Sequence, residues 1–333
     1  MLSAMTLDDV RNTAARLRDR IRYDVIGRDD IIELVLIALF ADGHVLLEDY
    51  PGSGKTTLAK ALGNGFVEMP AKDPASIPSF RRVQFTPDLL PSDVTGVTLF
   101  EPSTSTFSFR RGPVFASVLL VDEINRTSPK VQSALLEAMA EKQVTVDNVS
   151  HRLDDLFFVI ATQNPLDSVG TYPLPLAQLD RFLFKLSMKH IDAASELQVV
   201  KTWGQPRAAN GNSQLPQVQR GEVLAARATM RSKVAVSPAI QQCLVDIAQG
   251  LRDPKRTRQG VSTRCLVQAV PALQMRAVLK GRDFVSSEDI EALSGPLFQH
   301  RLELMPGVLG DVLVKDAMRA PIEKLSRSTL GAA

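Results

Sequence analysis

Lys55 and Thr56 are the first residues in this chain whose types and spacing could do chemistry. They close the run Asp49-Tyr50-Pro51-Gly52-Ser53-Gly54-Lys55-Thr56-Thr57, which follows the apolar Val45-Leu46-Leu47 and leads into Leu58-Ala59-Lys60-Ala61-Leu62. Strand, glycine-rich turn and helix form the setting in which backbone N–H groups turn inward around phosphate oxygens. The helix N-terminus adds its partial positive charge. Pro51, Gly52, Ser53, Gly54 and Thr57 would shape the cradle. Lys55 would reach the outer phosphates, and the Thr56 hydroxyl would hold a magnesium ion. One departure stands out: Asp49 occupies the place of the first glycine in G-x-x-x-x-G-K-[ST].

Two further groups suit the same chemistry. Val118-Leu119-Leu120-Val121 ends in Asp122-Glu123, a carboxylate pair where ligands collect in an open α/β sheet. One carboxylate can serve the metal (Asp122) and its neighbour can orient or deprotonate water (Glu123). Ala161-Thr162-Gln163-Asn164-Pro165 follows another apolar run, and the Asn164 amide could hydrogen-bond a terminal phosphate or the attacking water. By itself Asn164-Pro165 is a turn signal. Arg181 and Arg264 are planar, permanently charged donors suited to phosphate. The four histidines have no metal-ligand spacing and read as structural.

These groups need elements to hold them. A first helix, capped by Thr6 or Asp8, puts Leu7, Val10, Ala14, Leu17 and Ile21 on one face and ends near Tyr23. A second begins at Asp29, is apolar nearly all round and should be sandwiched, with Gly43 stopping it. Arg82-Val83-Gln84-Phe85, Val118 to Val121, Phe157 to Ala161 and Phe182-Leu183-Phe184 read as strands. A helix from Ser128-Pro129 to Glu141 takes serine as its cap. Thr98–Phe100 with Thr106–Phe109, and Val144–Val146 with Val149–Leu153, read as two inserted hairpins. Pro70 to Phe80 and Gly204 to Gln217 read as loops.

Strands alternating with helices imply an α/β domain with a largely parallel sheet, and after His190 only helices are expected. Ser237-Pro238, Ser262, and Ser286 or Ser287 start helices there; Pro271 should kink the helix containing it, and the end should fray from Ser326. The boundary falls near 191, giving residues 1–191 and 192–333.

At 333 residues there is room for two sizeable cores. The net charge of +2 disfavours a dedicated nucleic-acid binder. Cys243 and Cys265 lie in apolar helical patterns, which favours a reducing cytoplasm over a disulfide-stapled secreted fold. The longest apolar run, Leu34 to Ala41, falls short of the roughly 20 residues that a membrane span requires.

Taken in order, Pro51-Gly52-Ser53-Gly54-Lys55-Thr56, Asp122-Glu123-Ile124-Asn125-Arg126, Thr162-Gln163-Asn164-Pro165 and Tyr172-Pro173-Leu174-Pro175-Leu176-Ala177-Gln178-Leu179-Asp180-Arg181-Phe182 resemble the MoxR family of AAA+ ATPases. Gly260-Val261-Ser262-Thr263-Arg264 extends the likeness into the helical part. The resemblance implies a P-loop αβα sandwich followed by an all-α lid, with ATP and Mg2+ between them. It makes Lys55 and Thr56 Walker A, Asp122 and Glu123 Walker B, and Asn164 sensor 1. Arg181 becomes an arginine finger for the neighbouring subunit, Arg264 becomes sensor 2, and Ile26 and Gly27 lie near adenine. It further implies a ring, hexameric in this family, a separate partner with a von Willebrand factor A domain, and chaperone-like remodelling of client or metal-cofactor complexes. Leu176 stands where many relatives carry Glu, so a subunit contact through that carboxylate is in doubt. A nucleic-acid motor and a non-catalytic nucleotide switch are the alternatives.

Overall fold

The computed structural model describes residues 5–49, 53–67, 76–164, 170–202 and 215–330. Pro51, Gly52 and Pro165 lie outside them, as do much of the loop expected from Pro70 and nearly all of that expected from Gly204.

Thr6 caps α1 (Leu7–Asp24) through a reciprocal pair: its hydroxyl accepts the Asp9 N–H at 3.1 Å, and the Asp9 carboxylate accepts the Thr6 N–H at 2.8 Å. α2 (Asp29–Phe40) is buried without a break from Val35 to Phe40. Its end is a correction to the glycine stop, because the left-handed residue is Asp42, with φ at 62°. Gly43 is needed for space: a Cβ there would come within 2.5 Å of the Leu183 Cβ.

β1 (Val45–Asp49) leads to α3 (Lys55–Gly63), then β2 (Phe80–Gln84) and the short α4 (Pro91–Thr95). The hairpin β3 (Gly96–Glu101) and β4 (Thr106–Arg111) precedes β5 (Val118–Asp122) and α5 (Pro129–Glu141). A second hairpin, β6 (Gln143–Val146) and β7 (Val149–Arg152), precedes β8 (Phe158–Gln163). α6 (Leu176–Leu179) and β9 (Phe184–Met188) complete the mixed part. The last strand begins two residues later than expected; ahead of it the Leu183 N–H already bonds the His44 carbonyl at 2.8 Å. Ser128 stands at the cap position of α5 but makes no side-chain cap bond, another departure.

The main sheet runs β2-β5-β8-β1-β9 with every pair parallel. Alternate residues of a strand face opposite sides, and the core divides accordingly. Val45 and Leu47, Val118 and Leu120, Phe158 and Ile160 join α1, α2 and α3 on one face. Leu46, Leu119, Val121, Val159 and Ala161 join Val131 and Leu135 of α5 on the other. Every residue of β5 is buried, as a strand covered on both faces must be.

From Ala193 onward the long elements are helices: α7 (Ala193–Thr202), α8 (Arg220–Lys233), α9 (Pro238–Gly250), α10 (Thr263–Leu279), α11 (Ser287–Phe298) and α12 (Gly310–Leu330). A small antiparallel pair, β10 (Thr257–Gln259) and β11 (Glu303–Leu304), ties two connections together. α8 lies against α1 and α2, and its Val223, Ala226 and Met230 share their apolar cluster. Its Arg227 is buried: Nε and Nη2 donate to the Leu39 carbonyl, and Nη1 pairs with Asp42 at 2.6 Å. Pro271, Pro296 and Pro321 all lie inside helices, and α12 continues to Leu330 where fraying was expected from Ser326.

Candidate active site

Four strands of the sheet reach the site from the same direction. In the parallel register Leu46 and Val121 both stand level with Ala161, so the ends of β1, β5 and β8 form one edge. β2 joins them, with Gln84 level with Asp122. The phosphate-loop residues, the acidic pair and Asn164 all leave the sheet there.

Gly54 is the N-cap of α3 with φ 94° and ψ 15°, a left-handed conformation that glycine adopts without cost. No side chain caps the helix and its first turn carries no acid. Ser53 Oγ is buried and has no hydrogen-bond partner among the described residues. Uncapped N–H groups, the helix dipole and an idle buried hydroxyl beside Lys55 fit an anion with several oxygens. Thr56 and Thr57 are exposed at the start of α3. Behind the loop sits Arg28, buried, whose guanidinium donates to the Ser53 carbonyl at 3.4 Å and to the Lys189 carbonyl. The preceding turn, Ile26-Gly27, abuts the start of α7: a Cβ on Gly27 would lie 2.6 Å from Ser195 Oγ and 3.3 Å from the Ile191 side chain.

Asp122 is buried and Glu123 half-buried. Arg82 Nε donates to one Asp122 oxygen at 2.6 Å, and the Thr162 hydroxyl approaches the other at 3.4 Å. Thr162 Oγ also accepts the Glu123 N–H at 2.9 Å. That bond accompanies a left-handed backbone at Glu123, φ 57°, which costs a non-glycine residue on the order of 1 kcal/mol. The Glu123 carboxylate accepts from Gln84 Nε2 at 2.7 Å and pairs with Arg126 Nε at 3.1 Å. Asn164, half-buried, follows directly on β8, whose Gln163 side chain donates to Glu48 at 2.8 Å.

Arg181 sits in the turn between α6 and β9. Its Nη1 donates to the Ala177 carbonyl at 3.3 Å, and its buried Nε has no partner among the described residues. Arg264 is exposed in the first turn of α10, whose cap, Ser262, accepts the Cys265 N–H at 3.1 Å. Neither arginine is on the strand-end edge itself.

Sequence reasoning passed over Arg28, Arg82, Gln84, Gln132, Asp180 and Arg301 as site-supporting residues. Arg82 and Gln84 had a signal, since period-2 spacing puts both on one face of a strand. Gln132 had none: buried in α5, it donates to the Ile124 and Tyr172 carbonyls at 3.1 and 3.0 Å and so joins the acidic segment to the arginine segment.

Known proteins share this fold. The model of the ATPase family associated with various cellular activities (AAA) matches residues 44–184, and that of the AAA lid domain matches 251–317. A crystal structure from Cytophaga hutchinsonii, described as a candidate ATPase, superposes with a TM-score of 0.81 at 34% identity, over 93% of this chain and 94% of that one. The fold and these matches therefore define an AAA+ protein, a P-loop αβα core followed by a helical lid. Among curated relatives, the uncharacterized YeaC of Bacillus subtilis is 40% identical, covering 97% of this chain and 98% of its own. Chaperone MoxR1 of Mycobacterium tuberculosis is 32% identical (90% and 78%), and protein MoxR of Methylorubrum extorquens is 31% identical (95% and 96%). The chain belongs to the MoxR family of AAA+ ATPases.

Proposed function

We propose that this chain hydrolyses ATP to ADP and phosphate with Mg2+, and uses the cycle to remodel a client complex. The observation that carries the reading is the uncapped, glycine-led N-terminus of α3 opening on the sheet edge that bears Asp122, Glu123 and Asn164. Residues 1–191 act as the nucleotide-binding core and 192–333 as the lid. Ser53, Gly54 and the α3 N-terminus bind the phosphates with Lys55, together with Pro51, Gly52 and Thr57; Ile26 and Gly27 lie toward the base. Thr56 and Asp122 hold the magnesium ion, which when bound neutralises charge on the phosphate oxygens. Glu123 takes the proton from the attacking water and Asn164 orients it. Arg264 serves as the sensor 2 arginine, and Arg181 reaches the nucleotide of the neighbour in a ring, most simply a hexamer.

The protein works in the cytoplasm beside a separate partner bearing a von Willebrand factor A domain. Among the described residues no helix is long and apolar enough to cross a membrane.

The test is turnover by Glu123→Gln. Loss of a general base removes roughly 10²–10⁴ of rate, whereas ATP binding, followed with a fluorescent analogue, should persist. Lys55→Ala should lose the binding itself. Undiminished turnover by Glu123→Gln would refute the assignment.

A further inference from the structure

Arg28 is a buried cation at the back of the phosphate loop. It stands at the N-cap position of α2, is 7% exposed, and donates to two backbone carbonyls. One belongs to Ser53 in the loop, reached by Nη2 at 3.4 Å; the other belongs to Lys189, just beyond β9, reached by Nη1. These carbonyls leave the sheet side by side, because Asp49 at the end of β1 stands level with Met188 at the end of β9. Among the described residues no carboxylate pairs with Arg28, and both acceptors are neutral. The acids next to it and next to the loop are engaged elsewhere: Asp29 takes Arg22 at 2.6 Å, and Glu48 takes Lys185 at 2.9 Å.

The Ser53 contact bears on the direction of an N–H group. A trans peptide is planar, with its C=O and N–H on opposite sides, and the described residues contain no cis bond. The Ser53 carbonyl turns back to Arg28, so the Gly54 N–H is sent the other way, into the open loop ahead of α3. Gly54 completes the turn at φ 94°, and the buried Ser53 hydroxyl beside it has no partner among the described residues. The charge itself also matters. A buried charge is unfavourable without an opposite one, and salt screens it far less than a surface charge. A polyphosphate in the loop is that opposite charge.

We propose that Arg28 is a positioning residue for the polyphosphate. It holds the Ser53–Gly54 peptide with its N–H toward the phosphates and supplies a positive charge that no carboxylate among the described residues cancels. The proposal rests on the reading of the α3 N-terminus as the phosphate site. It makes Arg28 a source of discrimination by phosphate number: its contribution is largest for ATP, smaller for ADP and slight for AMP. A role confined to the base, through the adjoining Ile26-Gly27 turn, would act on all three nucleotides alike.

The test is binding by the full-length chain in the presence of Mg2+, with ATP, ADP and AMP competing against a fluorescent ATP analogue. Arg28→Gln, which keeps an amide donor and removes the charge, should weaken ATP roughly tenfold and ADP less, and leave AMP within about twofold. Arg28→Lys restores the charge and should recover much of the ATP affinity. Arg28→Met fills a similar volume without charge or donor; it should repeat the glutamine pattern and serves if that variant unfolds, as circular dichroism would show. No weakening of ATP, equal weakening of all three nucleotides, or no recovery by a folded Arg28→Lys overturns the inference and leaves the phosphate site standing. The unmodified chain and Lys55→Ala, titrated with the analogue alone, check the site itself. No binding by the first, or undiminished binding by the second, overturns the phosphate site and this inference with it.

Discussion

At the scale of single residues, the acidic pair is already in use by the protein's own side chains. Arg82 lies against Asp122, while Gln84 and Arg126 lie against Glu123. Arg82 is about half exposed, so its pair with Asp122 is screened and contributes on the order of 0.2–1 kcal/mol. Under the proposed mechanism Arg82 competes with magnesium for Asp122. Arg82→Ala should therefore lower the Mg2+ needed for half-maximal turnover, by up to about fivefold. A magnesium titration of the ATPase reads this directly, and an unchanged or raised requirement would contradict it. Lys55, Asp122, Glu123 and Asn164 could be singled out as candidates because each follows a local pattern of a few residues. Arg82 and Gln84 were not assigned, because their partners lie about forty positions away and only the strand order brings them together.

At the scale of elements, His44 shows how the sheet is locked to its neighbours. It precedes β1, accepts the Val159 N–H of β8 on Nδ1 at 3.1 Å and faces the Met139 carbonyl of α5 with Nε2 at 3.3 Å. These bonds call for the neutral ring with its proton on Nε2. Burial, opposed in part by the Met139 carbonyl, pushes its pKa down to about 4. An unfolded histidine titrates near 6.5, so between those values the unfolded chain binds a proton that the folded chain refuses. Stability should thus fall as pH drops from about 6.5, with His44's share of the loss, about 3 kcal/mol, complete near pH 4. His300, also deeply buried and beside Arg301, is shifted in the same direction. Urea unfolding at pH 7 and pH 4.5 measures the slope, and His44→Gln, with no proton to gain at that site, should flatten it; equal slopes would exclude His44 as the cause.

The strand–helix alternation around His44 was legible from periodicity. The short helices α4 and α6 were hidden in stretches rich in proline and turn residues. At the far end Pro271 sits inside its helix as expected, and Pro296 and Pro321 are likewise accommodated in helices that tertiary packing maintains.

At the scale of the whole molecule, a single chain carries the parts of a nucleotide site without bringing both arginines to its edge. The residues flanking Arg181 are held by lid side chains, and its own buried Nε has no partner among the described residues. The acceptor we propose is the phosphate of a neighbouring subunit's nucleotide. A trans arginine is worth roughly 10³–10⁵ in rate, so subunits that have not met should be almost idle. The rate per chain should then rise with protein concentration and level off as rings fill. Arg181→Ala should remain low at every concentration while still binding ATP. Both behaviours can be read from one dilution series of steady-state ATPase, with sedimentation run in parallel to show when assembly occurs. A rate per chain that is the same in dilute and concentrated samples, across a range where sedimentation shows assembly forming, would mean the site is complete within one subunit. Arg181 would then belong to the fold alone.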